Sequence, residues 1–389
     1  MRVAYVTMDS PDDIRAWSGL AHYIGDSVRR HGAELINVGP LHHRETLGMR
    51  IKRRWYKLCG KNMLEEREPA IVEQWGREIE ARLAEIKPDV VFSTHTYYLS
   101  EVKTDLPMVI FCDSNFASLL DFYPYYRNLP AATIRRGHAW EKNDLERCSR
   151  VLYACDWAKE FAVRDYGVDP AKIDVIPFGA NIECDRTEAD IEDYIARRPK
   201  DHCKLLFLGK VWERKGGDIA VAVAEELNRA GLPTTLTLMG SQPPAGKVLP
   251  DFVHKLGFLN KDEPEGLKKF NDTIGESHFL VLPSRAEAFG IVFCEAASFG
   301  VPSLAAAVGG ITTAVKNGAN GQTFPLEASP KEYADYIRDK FADFTRYEAL
   351  GRSAFQDFKT RTNWDVSGKR IYDHLVAAVA EHKANQKKL

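Results

Sequence analysis

A chain of 389 residues exceeds what one ordinary hydrophobic core organises, so its length predicts two domains, or three at most. Hydrophobic residues make up 44% and charged residues 28%, which is typical of a soluble globular protein. A formal net charge of -2 excludes a generally basic nucleic-acid-binding protein, although it leaves room for a local basic patch.

From the hydropathy pattern we expect neither a membrane-spanning segment nor an export signal. No window approaches the ~18 uninterrupted apolar residues of a membrane-spanning helix, and the N-terminal MRVAYVTMDS passes from a strand-like run into acidic loop residues. The seven cysteines are odd in number, scattered and never spaced as CxxC, which argues against a disulfide framework and a zinc site. We therefore predict a cytoplasmic protein with reduced thiols.

The first half of the chain alternates β-rich apolar runs with stretches of helical period. In chain order these include RVAYVT, GLAHYIGDSVRRHG, AELINVG, VEQWGREIEARLAEIKPDVVFSTH, LPMVIFCD and RVLYACDWAKEFAVRDYGV. Such alternation predicts βα units that feed a parallel sheet. The charged segment 179–203 interrupts the pattern and is interpreted as a connection between domains.

A second alternating series begins at KLLFLG and continues through TTLTLMG, HFLVLP, PSLAAA and GQTFPL to a largely helical C-terminus. We therefore predict an α/β protein with two Rossmann-like domains, residues 1–180 and 181–365. Ligands of such sheets bind beyond the carboxyl ends of the strands, and a cleft between the domains is expected there.

A basic segment, residues 44–61, lies in the first predicted domain. It carries seven cations against one acid, with Trp55, Tyr56 and Leu58 among them. Cations interspersed with aromatic residues suit an anionic lipid surface or an anionic acceptor. A solvated loop explains the same composition, and the sequence leaves both interpretations open.

Cations also follow the first strand of the second predicted domain. Lys210, Arg214 and Lys215 come just after LLFLG and precede Gly216 and Gly217. Glycines let backbone N–H groups approach an anion closely, so this segment suits a diphosphate. An exposed basic turn is the alternative.

Two glutamates follow the strand HFLVLP, with Glu287 at an expected loop tip and Glu295 within the next helix. Glu295 stands between the apolar runs IVFC and AASF, where an acid would need a partner. A carboxylate accepts two hydrogen bonds and so suits the paired hydroxyls of a ribose or another sugar. The alternative is that Glu287 merely stabilises a helix N-terminus and Glu295 is an exposed helix residue.

These motifs together resemble the donor-binding half of the retaining GT-B glycosyltransferases of family 4. The resemblance rests on LGKVWERKGG, LGF at 256–258, SRAEAFGIVFCE with its E-x7-E spacing, and VGGITTAVKNGANG. In the first domain it extends to WSGLAHYI and GVDPAKIDVIPFGAN. It implies the GT-B fold, two Rossmann-like domains facing a cleft, and a C-terminal helix (366–389) that joins the first domain.

The resemblance also implies roles for the residues that match. Glu295 would bind the ribose hydroxyls of a nucleotide. Glu287 would hold the transferred sugar, together with the backbone N–H groups of Ala288, Phe289 and Gly290.

Other matching residues would meet the phosphates and the base. Lys210 and Lys215 would neutralise the diphosphate, and Lys210 stands where the family often has Arg. The loop backbone at Gly257 and Phe258 would contact the base. The loop at Ser18 and Gly19 would approach the phosphates and the acceptor.

The first domain departs from the family pattern at Asp113. Many family members carry a His after the strand that corresponds to PMVIFC, and Asp113 takes that place here. An acid can bond the same hydroxyls or orient an acceptor, which makes Asp113 a catalytic candidate beside Glu287 and Lys215, but a turn or helix cap explains it equally. His95, after the preceding strand, is a weaker acceptor-side candidate, since such a His is more often structural.

No DxD pair follows an apolar strand and no His/Asp/Glu cluster has metal spacing, so catalysis without a metal or other cofactor is expected. The resemblance implies retaining transfer from a nucleotide-diphosphate sugar to a hydroxyl of a saccharide or lipid-linked acceptor. Its setting would be synthesis of cell-surface polysaccharide or glycolipid. Peripheral contact with an anionic membrane through residues 44–61 is a separate expectation, which rests on the composition of that segment. Alternatives are a sugar phosphorylase, a sugar-nucleotide epimerase and a non-catalytic nucleotide-sugar binding protein.

Overall fold

Twelve strands form two six-stranded parallel sheets in the part of the protein that the computed structural model describes, residues 1–14, 16–42 and 45–387. The predicted α/β class with two Rossmann-like sheets is confirmed. Contacts divide the chain into a first unit, residues 1–177 with the segment that starts at Trp364, and a second unit, residues 178–363. Arg44, Lys388 and Leu389, which belong to segments interpreted above, lie outside the described residues.

The first unit is built on a sheet with helices between its strands. The strands are β1 (Arg2–Val6), β2 (Glu34–Asn37), β3 (Val90–Ser93), β4 (Met108–Cys112), β5 (Arg150–Tyr153) and β6 (Ile173–Val175). The helices are α1 (Leu20–Arg30), α2 (Leu47–Leu58), α3 (Pro69–Ile86), α4 (Phe116–Leu119), α5 (Ala131–Arg147) and α6 (Asp156–Tyr166). Single 3-10 turns occupy Ala16–Gly19, Glu65–Arg67, Thr96–Tyr98, Pro124–Tyr126 and Pro170–Lys172.

The second unit repeats this plan. Its strands are β7 (Cys203–Leu208), β8 (Thr234–Met239), β9 (Val253–Gly257), β10 (Phe279–Leu282), β11 (Ser303–Ala306) and β12 (Gly321–Phe324). Its helices are α7 (Glu188–Arg197), α8 (Trp212–Lys215), α9 (Gly217–Arg229), α10 (Pro264–Glu276), α11 (Ile291–Ala297), α12 (Ile311–Ala314), α13 (Pro330–Ala342) and α14 (Phe344–Thr360).

Strand order places a crevice in each sheet. The first sheet runs β2-β1-β3-β4-β5-β6 and the second β12-β11-β10-β7-β8-β9. All strands are parallel, but the direction in which successive strands are added across the sheet reverses between β1 and β3 and between β10 and β7, the two reversal points. The central strands β3, β4 and β10 are buried along their whole length, as continuous apolar runs in parallel sheets are. Ligands of open α/β sheets bind at the carboxyl ends of the strands beside such a reversal.

The last helix, α15 (Trp364–Gln386), belongs to the first unit and packs against α1. The two helices approach closely at Gly368, where an added Cβ would lie 2.6 Å from the Cβ of Ser27. Real Cβ atoms do not come that close, so this crossing requires glycine at 368. Ser367 also donates a hydrogen bond from its hydroxyl to the carbonyl oxygen of Pro177, at 2.6 Å.

Two charged segments interpreted as a connection or a loop contain helices. Within 179–203, α7 begins after Thr187, whose side chain forms a capping box with Asp190. Within the basic segment, α2 begins after Thr46, whose hydroxyl accepts from the backbone N–H of Met49 at 3.2 Å. Both segments are rich in charged residues, which is why composition did not predict a helix in either. None of the described helices is both long and apolar enough to cross a membrane.

Asp174 on β6 generates a prediction about stability and pH. Arg370 and His374 of α15 bond to its carboxylate at 2.8 and 2.9 Å. Burial acts to raise the pKa of Asp174, but the hydrogen bonds from His374 and Arg370 outweigh it and lower the pKa from 3.8 to about 2. A carboxyl group whose pKa is lower in the folded state than in the unfolded state stabilises the fold at pH values above the unfolded-state pKa. That stabilisation is lost as the pH falls towards the folded-state pKa.

We expect Asp174→Asn to lower the free energy of unfolding at neutral pH by about 1 kcal/mol, a discounted value because solvent screens a side chain that is 35% exposed. The difference from the wild type should shrink as the pH falls from about 4 towards 2. Urea unfolding at a series of pH values measures it, with Asp373→Asn, an exposed acid of α15 paired to Lys369, as the control. A difference that does not change with pH would contradict this assignment.

Candidate functional site

The reversal point of the second sheet brings the two motifs of that unit together. Lys210 and Lys215 follow β7, and Glu287 follows β10. These strands are neighbours, with Phe279 in register with Leu205. Their carboxyl ends therefore meet at one edge of the sheet, where a ligand is expected.

Lys215 and Glu287 form a buried ion pair at this edge. Arg214 donates from Nη1 to the same carboxylate at 3.3 Å and to the carbonyl oxygen of Ala286 at 2.7 Å. Burial lowers the pKa of Lys215, and the charge of Glu287 opposes that effect. The two groups assigned by resemblance to phosphate and sugar thus bond to each other in this structure.

Gly216 fixes the distance between the two loops. Its φ of 76° lies in the left-handed region, and a Cβ there would collide with the carbonyl oxygen of Pro283. Any other residue would push the loop after β7 away from the end of β10. The glycine therefore keeps Lys215 next to Glu287.

Glu295 lies on α11 and is 4% exposed, as its apolar neighbours predicted. Its carboxylate accepts a hydrogen bond from Lys261 Nζ at 3.0 Å, and Lys261 also donates to the carbonyl oxygen of Asn181 at 3.0 Å. The sequence required a partner for Glu295 but did not identify Lys261, which lies 34 positions away in the chain. Gly290 is the N-cap of α11, so the backbone of 288–290 immediately precedes the first helical turn.

Lys210, Gly257 and Phe258 meet beyond the ends of β7 and β9. Lys210 Nζ lies 5.7 Å from the centroid of the Phe258 ring, which is 68% exposed. Gly257 has a φ of 70°, and its carbonyl oxygen accepts from the N–H of Gly240 at 2.7 Å. An exposed aromatic face beside a cation suits a planar base next to phosphate.

The reversal point of the first sheet gathers Ser18, Gly19 and His95. Trp17 and Ser18 have left-handed φ values of 44° and 58°, and Gly19 follows at 84°. Left-handed backbone at non-glycine residues costs about 1–3 kcal/mol each and is concentrated at functional sites. The ring of Trp17 lies 4.8 Å from that of His95, which follows β3.

His95 is neutral at physiological pH. Burial, reinforced by the charge of Arg67, lowers the pKa of its imidazole to about 3. Its ring contacts Tyr97 and Tyr98, with centroids 5.0 and 5.4 Å away. His95 therefore has the surroundings of a packed aromatic cluster and cannot act as a cation there.

Asp113 follows β4, the next strand of the same sheet, and is half-buried. Ser114 donates from its hydroxyl to Asp113 Oδ1 at 2.9 Å, and the thiol of Cys155 donates to the Asp113 carbonyl oxygen at 3.3 Å. The helix cap at this point is Asn115, whose side chain accepts from the N–H of Ser118. Asp113 is therefore not the cap of this helix. It lies at a bend, so the turn interpretation stays open, and its catalytic role stays a prediction.

A cavity of about 330 Å³ opens in the first unit, two residues beyond the end of β1. Its lining combines apolar side chains, two aromatic rings and two carboxylates: Met8, Met63, Leu64, Glu65, Glu66, Ile71, Trp75 and Tyr125. Burial raises the pKa of Glu66. Sequence reasoning missed this cavity, because its lining comes from four separate segments that carry no shared motif.

No group of three or more His, Cys, Asp or Glu side chains within residues 1–14, 16–42 and 45–387 could hold a metal ion. Metal-free catalysis itself stays a prediction, since it concerns the reaction rather than the fold.

The buried pair generates a prediction about coupling. Lys215→Met should cost about 3 kcal/mol of unfolding free energy, because it leaves Glu287 buried without its closest charged partner. The double variant Lys215→Met, Glu287→Leu should cost clearly less than the two single changes added. Urea unfolding of the wild type, the two single variants and the double variant measures this coupling free energy. The exposed pair Arg285–Asp218 is the matched control, with a coupling below about 1 kcal/mol, and additive losses at the buried pair would contradict the prediction.

Family models match both units of the protein. A model described as glycosyl transferases group 1 matches residues 202–343, and one described as glycosyltransferase family 4 matches residues 26–183. D-inositol 3-phosphate glycosyltransferases from Catenulispora acidiphila and Streptomyces scabiei are 33% and 30% identical over 204 and 235 residues. These matches cover 49% and 57% of this chain and 48% and 52% of the relatives, so the chain spans about half the length of the curated relatives it matches.

Solved structures of similar fold extend over nearly the whole chain. Sucrose-phosphate synthase from Thermosynechococcus elongatus superposes with a TM-score of 0.68 at 18% identity, covering 97% of this chain and 100% of its own. Anabaena HepE, solved in complex with UDP-glucose, has a TM-score of 0.61 at 15% identity, with the same two coverages. These likenesses establish the GT-B fold. With family models matching most of both units, the chain belongs to glycosyltransferase family 4.

Proposed function

We propose that the protein transfers a sugar from a nucleotide-diphosphate sugar to a hydroxyl group of an acceptor, with retention of configuration. The observation that carries the proposal is the buried pair Lys215–Glu287 at the reversal point of the second sheet, where α/β proteins bind nucleotides. Family membership and the likeness to HepE, whose structure contains UDP-glucose, support it.

The donor would engage the two glutamates separately. Glu295, positioned by Lys261, would accept hydrogen bonds from the ribose hydroxyls. The diphosphate would compete with Glu287 for Lys215, since both are anionic. Release of Glu287 from that ion pair would free its carboxylate to accept from the hydroxyls of the sugar, so phosphate binding and sugar binding would be linked.

Charge on the leaving diphosphate would be stabilised by protein groups. Lys210, Lys215 and the backbone N–H groups of 288–290 at the start of α11 would supply positive potential in the transition state. The proposal therefore includes no bound metal. Retention would follow from attack on the same face as the departing phosphate rather than from a protein nucleophile.

The acceptor would bind to the first unit. Trp75 and Tyr125 offer aromatic faces in the cavity there, and Glu65 and Glu66 offer carboxylates that accept hydrogen bonds from hydroxyls. Asp113 would orient the acceptor or accept its proton. We propose synthesis of a cell-surface polysaccharide or glycolipid, on the cytoplasmic face of a membrane, as the setting.

Thermal shift with a panel of nucleotide sugars should single out the donor, because a ligand stabilises by mass action. With that donor, Glu295→Gln should weaken binding at least about tenfold, since hydrogen bonds to a charged group contribute about 1.5–3 kcal/mol. Glu287→Gln should chiefly lower kcat. Glu276→Gln, an exposed acid paired with Lys204, is the control for both variants.

Full transfer activity in Glu287→Ala would refute the assignment of Glu287. The protein could also bind the donor but neither transfer its sugar to any of a range of saccharide and lipid-linked acceptors nor hydrolyse it slowly. That result would indicate a nucleotide-sugar binding protein instead.

The acceptor cavity yields a separate prediction. Tyr125 is 56% exposed and lines the cavity, so Tyr125→Ala should leave folding intact. Loss of one aromatic contact should raise the KM for the acceptor about threefold to tenfold without changing donor affinity. Tyr372→Ala on α15 is the control. Steady-state kinetics at saturating donor measure the effect, and an unchanged acceptor KM would place the acceptor elsewhere.

A further inference from the structure

Helix α2 presents a row of exposed apolar side chains. Leu47, Ile51, Trp55 and Leu58 are 73%, 62%, 63% and 76% exposed. A helix turns ~100° per residue, so these four positions lie within an arc of about 80°. Large apolar side chains grouped on one exposed face, unlike scattered ones, mark an interaction surface.

The opposite side of α2 faces the first unit. Met49 is buried and Tyr56 half-buried, and both lie on the far side of the helix from the apolar row. Lys52 and Arg53 bond to Glu68 and Glu65 at 2.5 and 2.6 Å. These contacts hold α2 in one orientation, with the apolar row outward.

The charge on α2 is entirely positive. Residues 47–61 contain six cations and no acid. Arg54, Lys57 and Lys61 form no ion pair with any residue that the structure describes. An apolar row flanked by cations matches an anionic bilayer, where apolar side chains enter the acyl boundary and cations meet lipid phosphates.

We propose that α2 is a docking helix that binds the first unit to an anionic lipid bilayer. Its apolar row enters the interface, and Arg54 and Lys57 meet the phosphate groups beside it. A second copy of the chain is a poorer occupant, because pairing two α2 helices would bring like charges together. The docking rests on α2 alone and does not depend on glycosyl transfer.

Docking has a consequence for the acceptor if the proposed function holds. Arg53 on α2 pairs with Glu65, and Glu65 lines the cavity of the first unit. Because Arg53 lies on the side of α2 opposite the apolar row, the width of one helix, about 10 Å, separates a bilayer bound by α2 from the wall of that cavity. This position favours an acceptor that is anchored in the membrane over one that is free in solution.

Sedimentation of the full chain with vesicles tests the docking. We expect binding to vesicles of equimolar phosphatidylcholine and phosphatidylglycerol, and much weaker binding to phosphatidylcholine alone. Ile51→Glu and Trp55→Glu should each lower binding at least tenfold. Arg54→Gln and Lys57→Gln should each weaken it about fivefold, the contribution of one cation near an anionic surface.

Matched controls carry the same changes on the second unit. Val248→Glu replaces an apolar side chain that is 91% exposed, and Lys269→Gln replaces an exposed cation. Both should bind vesicles as the wild type does. Donor thermal shift without vesicles should be the same for every variant, which separates failure of docking from failure of the proposed function.

Two results would overturn the proposal. One is equal binding of wild type, Trp55→Glu and Ile51→Glu to anionic vesicles, or no binding by any of them. The other is a dimer in sedimentation velocity without lipid that Trp55→Glu dissociates, which would assign the apolar row to a second copy of the chain.

Discussion

The buried ion pair between Lys215 and Glu287 is the constraint around which the second unit is organised. Removing two charges from water costs several kcal/mol, which is recovered only when the two groups meet in good geometry. That geometry requires β7 and β10 to be neighbours and the loop at Gly216 to pass against Pro283. Strand order, one glycine and two charged side chains therefore form a single arrangement, and a change in any of them disturbs the others.

The same pair limits which ligand the site accepts. A ligand that binds Lys215 must offset the loss of its partner, and Glu287 is then left needing hydrogen-bond donors. An inorganic diphosphate supplies the anion but no donors for the carboxylate. A nucleotide-diphosphate sugar supplies both, because its sugar carries hydroxyls next to the phosphate. Under the proposed function, the ion pair would favour the complete donor over its fragments. In the structure it keeps Lys215 and Glu287 partnered with each other.

Local sequence patterns predicted the features of the structure that depend on residues close together in the chain. Alternation of apolar runs and helical stretches predicted both parallel sheets, and the apolar runs around Glu295 predicted its burial. Strand order is not local, so pairing between Lys215 and Glu287, 72 positions apart, could not be derived from spacing, nor could Lys261 be identified as the partner of Glu295. The secondary structure of charged segments such as α2 was ambiguous, because charged residues dominate their composition and few of their apolar side chains are buried.

The two reversal points differ in charge although they share a topology. In the second sheet, Lys210 and Lys215 follow the reversal, as a diphosphate requires. In the first sheet, burial lowers the pKa of His95 and so favours its neutral form, and Asp113, which follows the next strand, adds a negative group. A cationic site suits the donor phosphates, whereas a neutral or acidic site suits hydroxyls and would repel a phosphate. The proposed division of the substrates between the units therefore follows from the electrostatics of each sheet, and it disfavours an acceptor that places a phosphate group beside Asp113.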